Sequence, residues 1–288
     1  MFKFSCADFT FPVMERLAAL KLIKLLGFDH VDIGLFARST HFSPIDLQPS
    51  PHSYTAQVLQ DLDDAALGPS DVFVQIGVDP SERAANDPST HIRITNREIF
   101  SRALDFCVEI HCSHLTGLPG VFHSSIPREN DIDLAAEESR WRMTQCAAAG
   151  VQYAIEPHVG SICGEVESAR AFLRKVKGLT LTLDYGHFVM AGENSELVHE
   201  LLPFASHIHV RGGAPERLQT SVDENAIDFN GMLSGLTSLD FEGFLALEYV
   251  WVDWNGCNRT DNVSETLLLR RALESTASVM TIKRPSRA

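Results

Sequence analysis

Short apolar runs alternate along the chain with longer stretches whose apolar residues recur at helical spacing. Residues 2–6 read as a strand and 13–26 as a helix closed by Gly27. The beat continues with strand 30–33 and helix 53–67, strand 72–76 and helix 96–110, then strand 113–116 and helix 132–149, closed by Gly150 as a C-cap. In the second half, strand 152–155 precedes helix 166–176, and strand 180–183 precedes helix 195–202. Strand 207–210 precedes helix 229–236, and strand 244–247 precedes helix 262–277, where Asn262 and Glu265 have capping-box spacing.

Strands that alternate with helices imply a parallel sheet, and eight such units close naturally into a (β/α)8 TIM barrel. The competing α/β fold, an open doubly wound sheet, prefers a glycine-rich turn after its first strand. Ala7-Asp8-Phe9-Thr10-Phe11-Pro12 offers none. No Gly/Pro/Ser-rich linker interrupts the pattern, so residues 1–288 are expected to form a single barrel domain. The loops 40–51, 79–90 and 119–131 are long and carry His, Pro and Ser. Loops that follow strands line the active face of a barrel. The polar tail 283–288 is expected to fray.

Composition narrows the function. A hydrophobic share of 44% suits a protein with a sizeable core, and a net charge of −14 argues against a general nucleic-acid binder, which needs clustered Lys and Arg. No apolar run reaches the ~20 residues that span a bilayer. The N-terminus lacks the features of a signal peptide. The six cysteines form no CxxC pair and read as reduced, mostly buried thiols, which points to a cytoplasmic protein.

Four polar residues share one structural place. Glu156, Asp184, His209 and Glu248 each stand at the C-terminal end of an apolar strand, separated by 28, 25 and 39 residues, close to one strand–helix unit each. In a closed barrel these ends meet at one mouth. Three carboxylates gathered there would raise one another's pKa unless a cation lay between them. Three carboxylates and one imidazole form a fairly hard ligand set, favouring Mn2+ or Mg2+ over Co2+ or Zn2+. The competing reading is structural: a strand-end carboxylate often caps the next helix, and Asp184 is placed to do so through Tyr185-Gly186.

The segments Ile155-Glu156-Pro157-His158, Leu183-Asp184-Tyr185-Gly186-His187, His207-Ile208-His209-Val210-Arg211 and Leu247-Glu248-Tyr249 resemble the xylose isomerase-like barrel superfamily of sugar-phosphate isomerases, epimerases and endonuclease IV. The resemblance is architectural over most of the chain and specific from Glu156 to Glu248. It implies that Glu156, Asp184, His209 and Glu248 bind one divalent metal, as the matching residues do in ketose 3-epimerases. It also implies that the two glutamates move the proton and that His187 touches the substrate. Arg217 and Arg211 are the two candidates for a substrate-binding arginine. His158 and His123 are further candidate substrate contacts.

Two features depart from the epimerase pattern. Ile162 stands where those enzymes carry another glutamate, six residues past the first ligand. The loop from Tyr249 to Gly256 carries Trp251 and Trp254 besides Tyr249. These aromatic rings suit stacking on a sugar or an aromatic aglycone, or a contact with a second copy or a partner subunit. The leading expectation is a metal-dependent isomerase or epimerase acting on a keto-sugar or polyol ketone. The alternative is a lyase on the same scaffold, similar to inosose or dehydroshikimate dehydratases or to the barrel subunit of C-glycoside deglycosidases. Abasic-site nuclease activity is disfavoured, because Asp228-Phe229-Asn230 lacks the histidine of the nuclease motif and the chain is acidic.

Overall fold

The computed structural model describes residues 2–37, 40–47 and 51–283, apart from the side chains of 51–53 and 280–283. Eight parallel strands close into a barrel: β1 (Lys3–Ala7), β2 (His30–Phe36), β3 (Gly68–Gln75), β4 (His114–Gly117), β5 (Gln152–Ile155), β6 (Thr180–Asp184), β7 (Ala205–Val210) and β10 (Phe244–Leu247). β10 closes the ring against β1, pairing Lys3 with Phe244 and Cys6 with Leu247. Two short strands, β8 (Gly212–Ala214) and β9 (Arg217–Thr220), form an antiparallel hairpin outside the ring, directly after β7.

The connecting helices are α1 (Arg16–Leu25), α2 (Pro51–Ala65), α3 (Thr90–Glu109), α4 (Arg128–Ala148), α5 (Val166–Lys175), α6 (Tyr185–Met190), α7 (Ser195–Val198), α8 (Phe229–Ser238) and α9 (Asn262–Lys283). The barrel is the one expected from the sequence, and β5 and β10 have the expected bounds. Gly150 ends α4 at φ 73°, with the Val151 amide returning to the Cys146 carbonyl.

Three local readings change. The helix expected at 195–202 is a single α-helical turn, α7, continued as a 3-10 helix over His199–Phe204, where Pro203 removes an amide. Asn262 does not form a capping box with Glu265. Asp261 caps α9 instead, accepting from the Val263 and Ser264 amides. The Asn262 amide donates to the Thr10 and Tyr249 carbonyls, and Glu265 accepts from the Val222 amide. The hairpin has no counterpart in the sequence reading, and α6 enters it only as the helix that Asp184 would cap. Residues 48–50 of the loop 40–51 and the tail 284–288 lie outside the described residues.

Side chains alternate across each strand. Val31, Ile33 and Leu35 of β2, Val72 and Val74 of β3, and Ile208 and Val210 of β7 belong to the main core between sheet and helices. The opposite face turns into the barrel and is largely polar. Ser5 donates to Asp32, Thr116 bonds Thr182 at 2.6 Å, and His207 meets Asp32 at 2.6 Å. Barrel interiors are usually filled by branched aliphatic layers. Here a hydrogen-bonded network fills the centre and leads up to the C-terminal mouth. All six cysteines are free and buried. Among the described residues no helix is long and apolar enough to cross a membrane.

Candidate active site

Four adjacent strands of the ring, β5, β6, β7 and β10, deliver Glu156, Asp184, His209 and Glu248 to the mouth. Glu156 and Glu248 each stand one residue beyond their strand. Their amides remain in the ladder, donating to the Gly117 and Val210 carbonyls, so both glutamates are held by the sheet rather than by a loose loop. Asp184 pairs in register with His209, and His209 with Ala246. All four residues are buried.

His209 is central. Its Nδ1 lies 2.6 Å from Glu156 Oε1 and 3.4 Å from Glu248 Oε2. On the other side of the ring, Nε2 lies 3.4 Å from Asp32 Oδ2. Burial alone would lower the His209 pKa, but Glu248, Asp32 and Glu156 hold it well above the ordinary imidazole value. Burial raises the Glu248 carboxyl against the opposing pull of Arg211 and His209, and it raises Glu156 against His209.

Asp184 has two tasks, one for each oxygen. Oδ1 accepts from the Gly186 amide at 2.7 Å and caps α6. Oδ2 contacts the Arg211 guanidinium. The capping role considered from sequence holds, and the other oxygen of the same side chain faces the cluster at the mouth. Arg211 Nη2 also reaches Glu248 Oε2 at 3.1 Å. Burial would raise Asp184, but Arg211 and His187 keep it below the usual carboxylate value.

The residues fit a divalent cation. Ligand atoms of Glu156, His209 and Glu248 lie within 4.8 Å of one another, and so do those of Glu156, Asp184 and His187, with Glu156 common to both groups. Glu248 Oε2 is buried without a directed hydrogen bond. Three buried carboxylates need compensating charge; Arg211 supplies part of it, and a dication between the glutamates would supply more.

His187 and His158 complete the floor, 6.1 Å apart between ring centroids. Burial pushes His187 down to about 3 and His158 down to about 4, so both are neutral near pH 7. His158 Nδ1 donates to the Val159 carbonyl, which leaves Nε2 as a buried acceptor without a partner. The Val159 amide approaches His187 Nδ1 and Arg211 Nη2 approaches His187 Nε2, each at 3.4 Å, so both ring nitrogens face donors.

Above this floor lies a cavity of about 270 Å³, bordered by Glu156, His158, His187, Arg211 and Glu248. Arg217 and His123 do not border it. Arg217 is on β9, half-exposed, and pairs with Glu224 at 2.6 Å. His123 is tied to Asp131 of α4 at 2.6 Å through Nδ1 and by its amide. Of the two arginine candidates, Arg211 is therefore the one at the site. In the aromatic loop, Tyr249 is fully buried and its hydroxyl accepts from the Gly212 amide, so it cannot stack on a ligand. Trp254 borders the cavity, whereas Trp251 borders a separate groove beside Phe11.

The hairpin after β7 fixes this loop. Gln219 of β9 exchanges hydrogen bonds with Val250 and donates to the Cys257 carbonyl. Glycine is required at 212, where a Cβ would stand 2.6 Å from the Thr220 carbonyl oxygen.

Sequence reading missed the supporting layer. Asp32, Asp71, His207 and His209 bring ligand-type atoms within 4.8 Å of one another inside the barrel. Asp32 accepts from Ser5, Ser70 and His207, while Asp71 binds His114, which also bonds Ser206. The signal was present as single polar residues in apolar strands: Asp32 within Val31-Asp32-Ile33, and His207 two positions before His209.

A closed parallel barrel with carboxylates and imidazoles gathered at its C-terminal mouth is an enzyme-type barrel. The chain belongs to the xylose isomerase-like TIM barrel family, whose model matches residues 20–273. No curated protein sequence matches it significantly. Among solved structures it is similar to an L-ribulose 3-epimerase, at TM-score 0.77 and 14% identity, with 100% of each chain covered. It is similar to the probable 3-DHS dehydratase of petrobactin synthesis from Bacillus anthracis, at TM-score 0.69 and 15% identity over 93% of this chain and 99% of that one. A xylose isomerase-like TIM barrel protein from Mycobacterium smegmatis in complex with magnesium gives TM-score 0.72 and 15% identity over 96% and 98%.

Proposed function

We propose that this protein is a divalent-metal-dependent isomerase or epimerase that moves a proton on the carbon beside the carbonyl of a keto-sugar or polyol ketone. The observation that supports the reading is the convergence of Glu156 and Glu248 on His209 Nδ1, at 2.6 and 3.4 Å, in a buried mouth where burial raises both carboxyls. β5 and β10 are separated in the ring by β6 and β7, so the two glutamates approach the cavity from different sides. In this reading one carboxylate would take a proton from one face of a ligand, and the other would return it to the opposite face.

Glu156, Asp184, His209 and Glu248 are the residues that would hold the metal, with Mn2+ or Mg2+ preferred to Co2+ or Zn2+ for this mostly oxygen donor set. When bound, such a cation supplies Lewis-acid stabilisation of the charge that develops on the carbonyl oxygen. Neutral His158 offers an acceptor to ligand hydroxyls, and neutral His187 stands beside it. Arg211 offers a fixed positive charge beside them. The whole barrel, 1–288, would act as one unit on a small carbohydrate.

A lyase is the second reading. Ile162 is buried in the main core, so the position that carries a glutamate in ketose 3-epimerases contributes no hydroxyl contact here. Proton abstraction followed by loss of a β-substituent needs the same two carboxylates.

The test is metal analysis of the purified protein, followed by NMR of keto-sugars, inososes and 3-keto-glycosides in D2O. Deuterium uptake beside the carbonyl, dependent on the metal, is the expected result. Conserved mass then marks isomerisation and release of water or an aglycone marks elimination. Absence of uptake with every loaded metal and every ketone would overturn the reading.

A further inference from the structure

Phe9, Phe36 and Phe73 stand together at the mouth, with ring centroids 4.8 Å apart for Phe9–Phe36, 4.9 Å for Phe36–Phe73 and 6.2 Å for Phe9–Phe73. With Ala7 they form an apolar cluster separate from the main core, and Leu118 and Val250 pack against it. All five of these large side chains border the cavity above the acidic floor. Opposite them Trp254, 46% exposed, places its ring 6.1 Å from that of His187.

The polar side chains on this upper part are engaged in their own loop. Gln75 donates to the Gly77 and Val78 carbonyls. Asp79 accepts from the Ser81 amide and hydroxyl. The cavity therefore has two chemistries: a floor of charged and hydrogen-bonding groups, and walls of carbon. A hydroxyl pressed against such walls gives up water and finds no partner. An aromatic or branched aliphatic group gains from the same contact.

We infer that the substrate is a keto-polyol bearing an apolar substituent, whose polar head meets the floor and whose aromatic or aliphatic group lies between the three phenylalanines and Trp254. The inference deepens the proposed function and rests on it for the polar head alone, since the walls are defined without reference to the reaction.

Calorimetric binding to the metal-loaded protein tests it, with phenyl 3-keto-β-D-glucopyranoside, its methyl counterpart and D-fructose as probes. The phenyl probe should bind roughly tenfold or more tighter than the methyl probe. Saturation transfer should appear on its ring protons. Phe36→Ala should bring the two affinities together and Phe36→Leu should keep part of the difference, with the melting temperature of each variant reporting the fold. Equal affinities of the phenyl and methyl probes for the wild-type protein, tighter binding of D-fructose, or no binding of the phenyl probe would overturn the inference. Deuterium uptake separates the two readings. Uptake from all three probes without a phenyl preference removes the apolar subsite and leaves the proposed reaction. A phenyl preference without uptake from any probe removes the reaction and leaves the subsite.

Discussion

Nη2 of Arg211 lies 3.1 Å from Oε2 of Glu248 and, at the same time, against Oδ2 of Asp184. One guanidinium thus bridges two carboxylates that the proposed cation would also engage. Buried charges depend on such partners, and removing one member costs about 3–5 kcal/mol. Arg211→Gln should therefore melt well below the wild type in EDTA. Added Mn2+ should raise its melting point by more than it raises the wild type's, because the dication then supplies the missing charge. Equal shifts in the two proteins would show that arginine and metal do not share these carboxylates.

The two glutamates are expected to be individually indispensable for proton movement. Glu156→Gln and Glu248→Gln keep the volume and the backbone bonds to Gly117 and Val210. Each should lower the rate of solvent deuterium uptake by about 10²-fold or more, the scale of general acid–base catalysis. Circular dichroism should be unchanged. Wild-type exchange in either variant would remove that glutamate from the reaction.

Metal removal should be visible in stability as well as in turnover. A ligand that binds only the folded state at about 100 times its Kd adds about 2.7 kcal/mol. Urea midpoints should fall on chelation and recover with Mn2+ or Mg2+. Glu156→Gln, which weakens the set of buried donors, should blunt the recovery.

A fourth prediction concerns the opposite side of the ring. Burial alone would lower the His41 imidazole, but the Asp8 carboxylate, 3.2 Å from Nδ1, and the Met14 carbonyl on Nε2 raise it above its ordinary value. A raised value means that the folded state binds the proton more tightly than the unfolded chain. Its contribution to stability is full below the ordinary imidazole pKa of about 6.5 and is lost as pH rises through the higher folded value. Urea unfolding over this window should show stability falling with pH, and His41→Gln should flatten that slope. An unchanged slope in the variant would assign it to other groups.

The repeating beat of strand and helix was legible because it depends on local periodicity, and Gly150 marked the end of α4 where the backbone turns to positive φ. That Glu156, Asp184, His209 and Glu248 meet at one mouth was legible because each ends an apolar strand and the strands close into one ring. Choosing between Arg211 and Arg217 was not, since the choice depends on the hairpin that turns Arg217 outward, and β8 is only Gly212–Ala214, too short to carry a pattern. His123 read as a site residue because its partner, Asp131, stands in the next helix, and sequence spacing alone did not link the two. The phenylalanine walls were missed for a related reason: Phe9, Phe36 and Phe73 look like ordinary strand and loop hydrophobics until the ring closes and brings them together.

Phe9, Phe36 and Phe73 stand apart from the main core but not from the acidic floor. Phe9 and Phe73 are buried, and the Phe73 ring lies 5.6 Å from that of His209, so a change in the wall reaches the floor through this contact. The acidic floor hangs from four strands and tolerates almost no displacement. Chemistry and ligand choice are therefore mechanically linked, and what the molecule accepts is better altered at partly buried Phe36 than at Phe73.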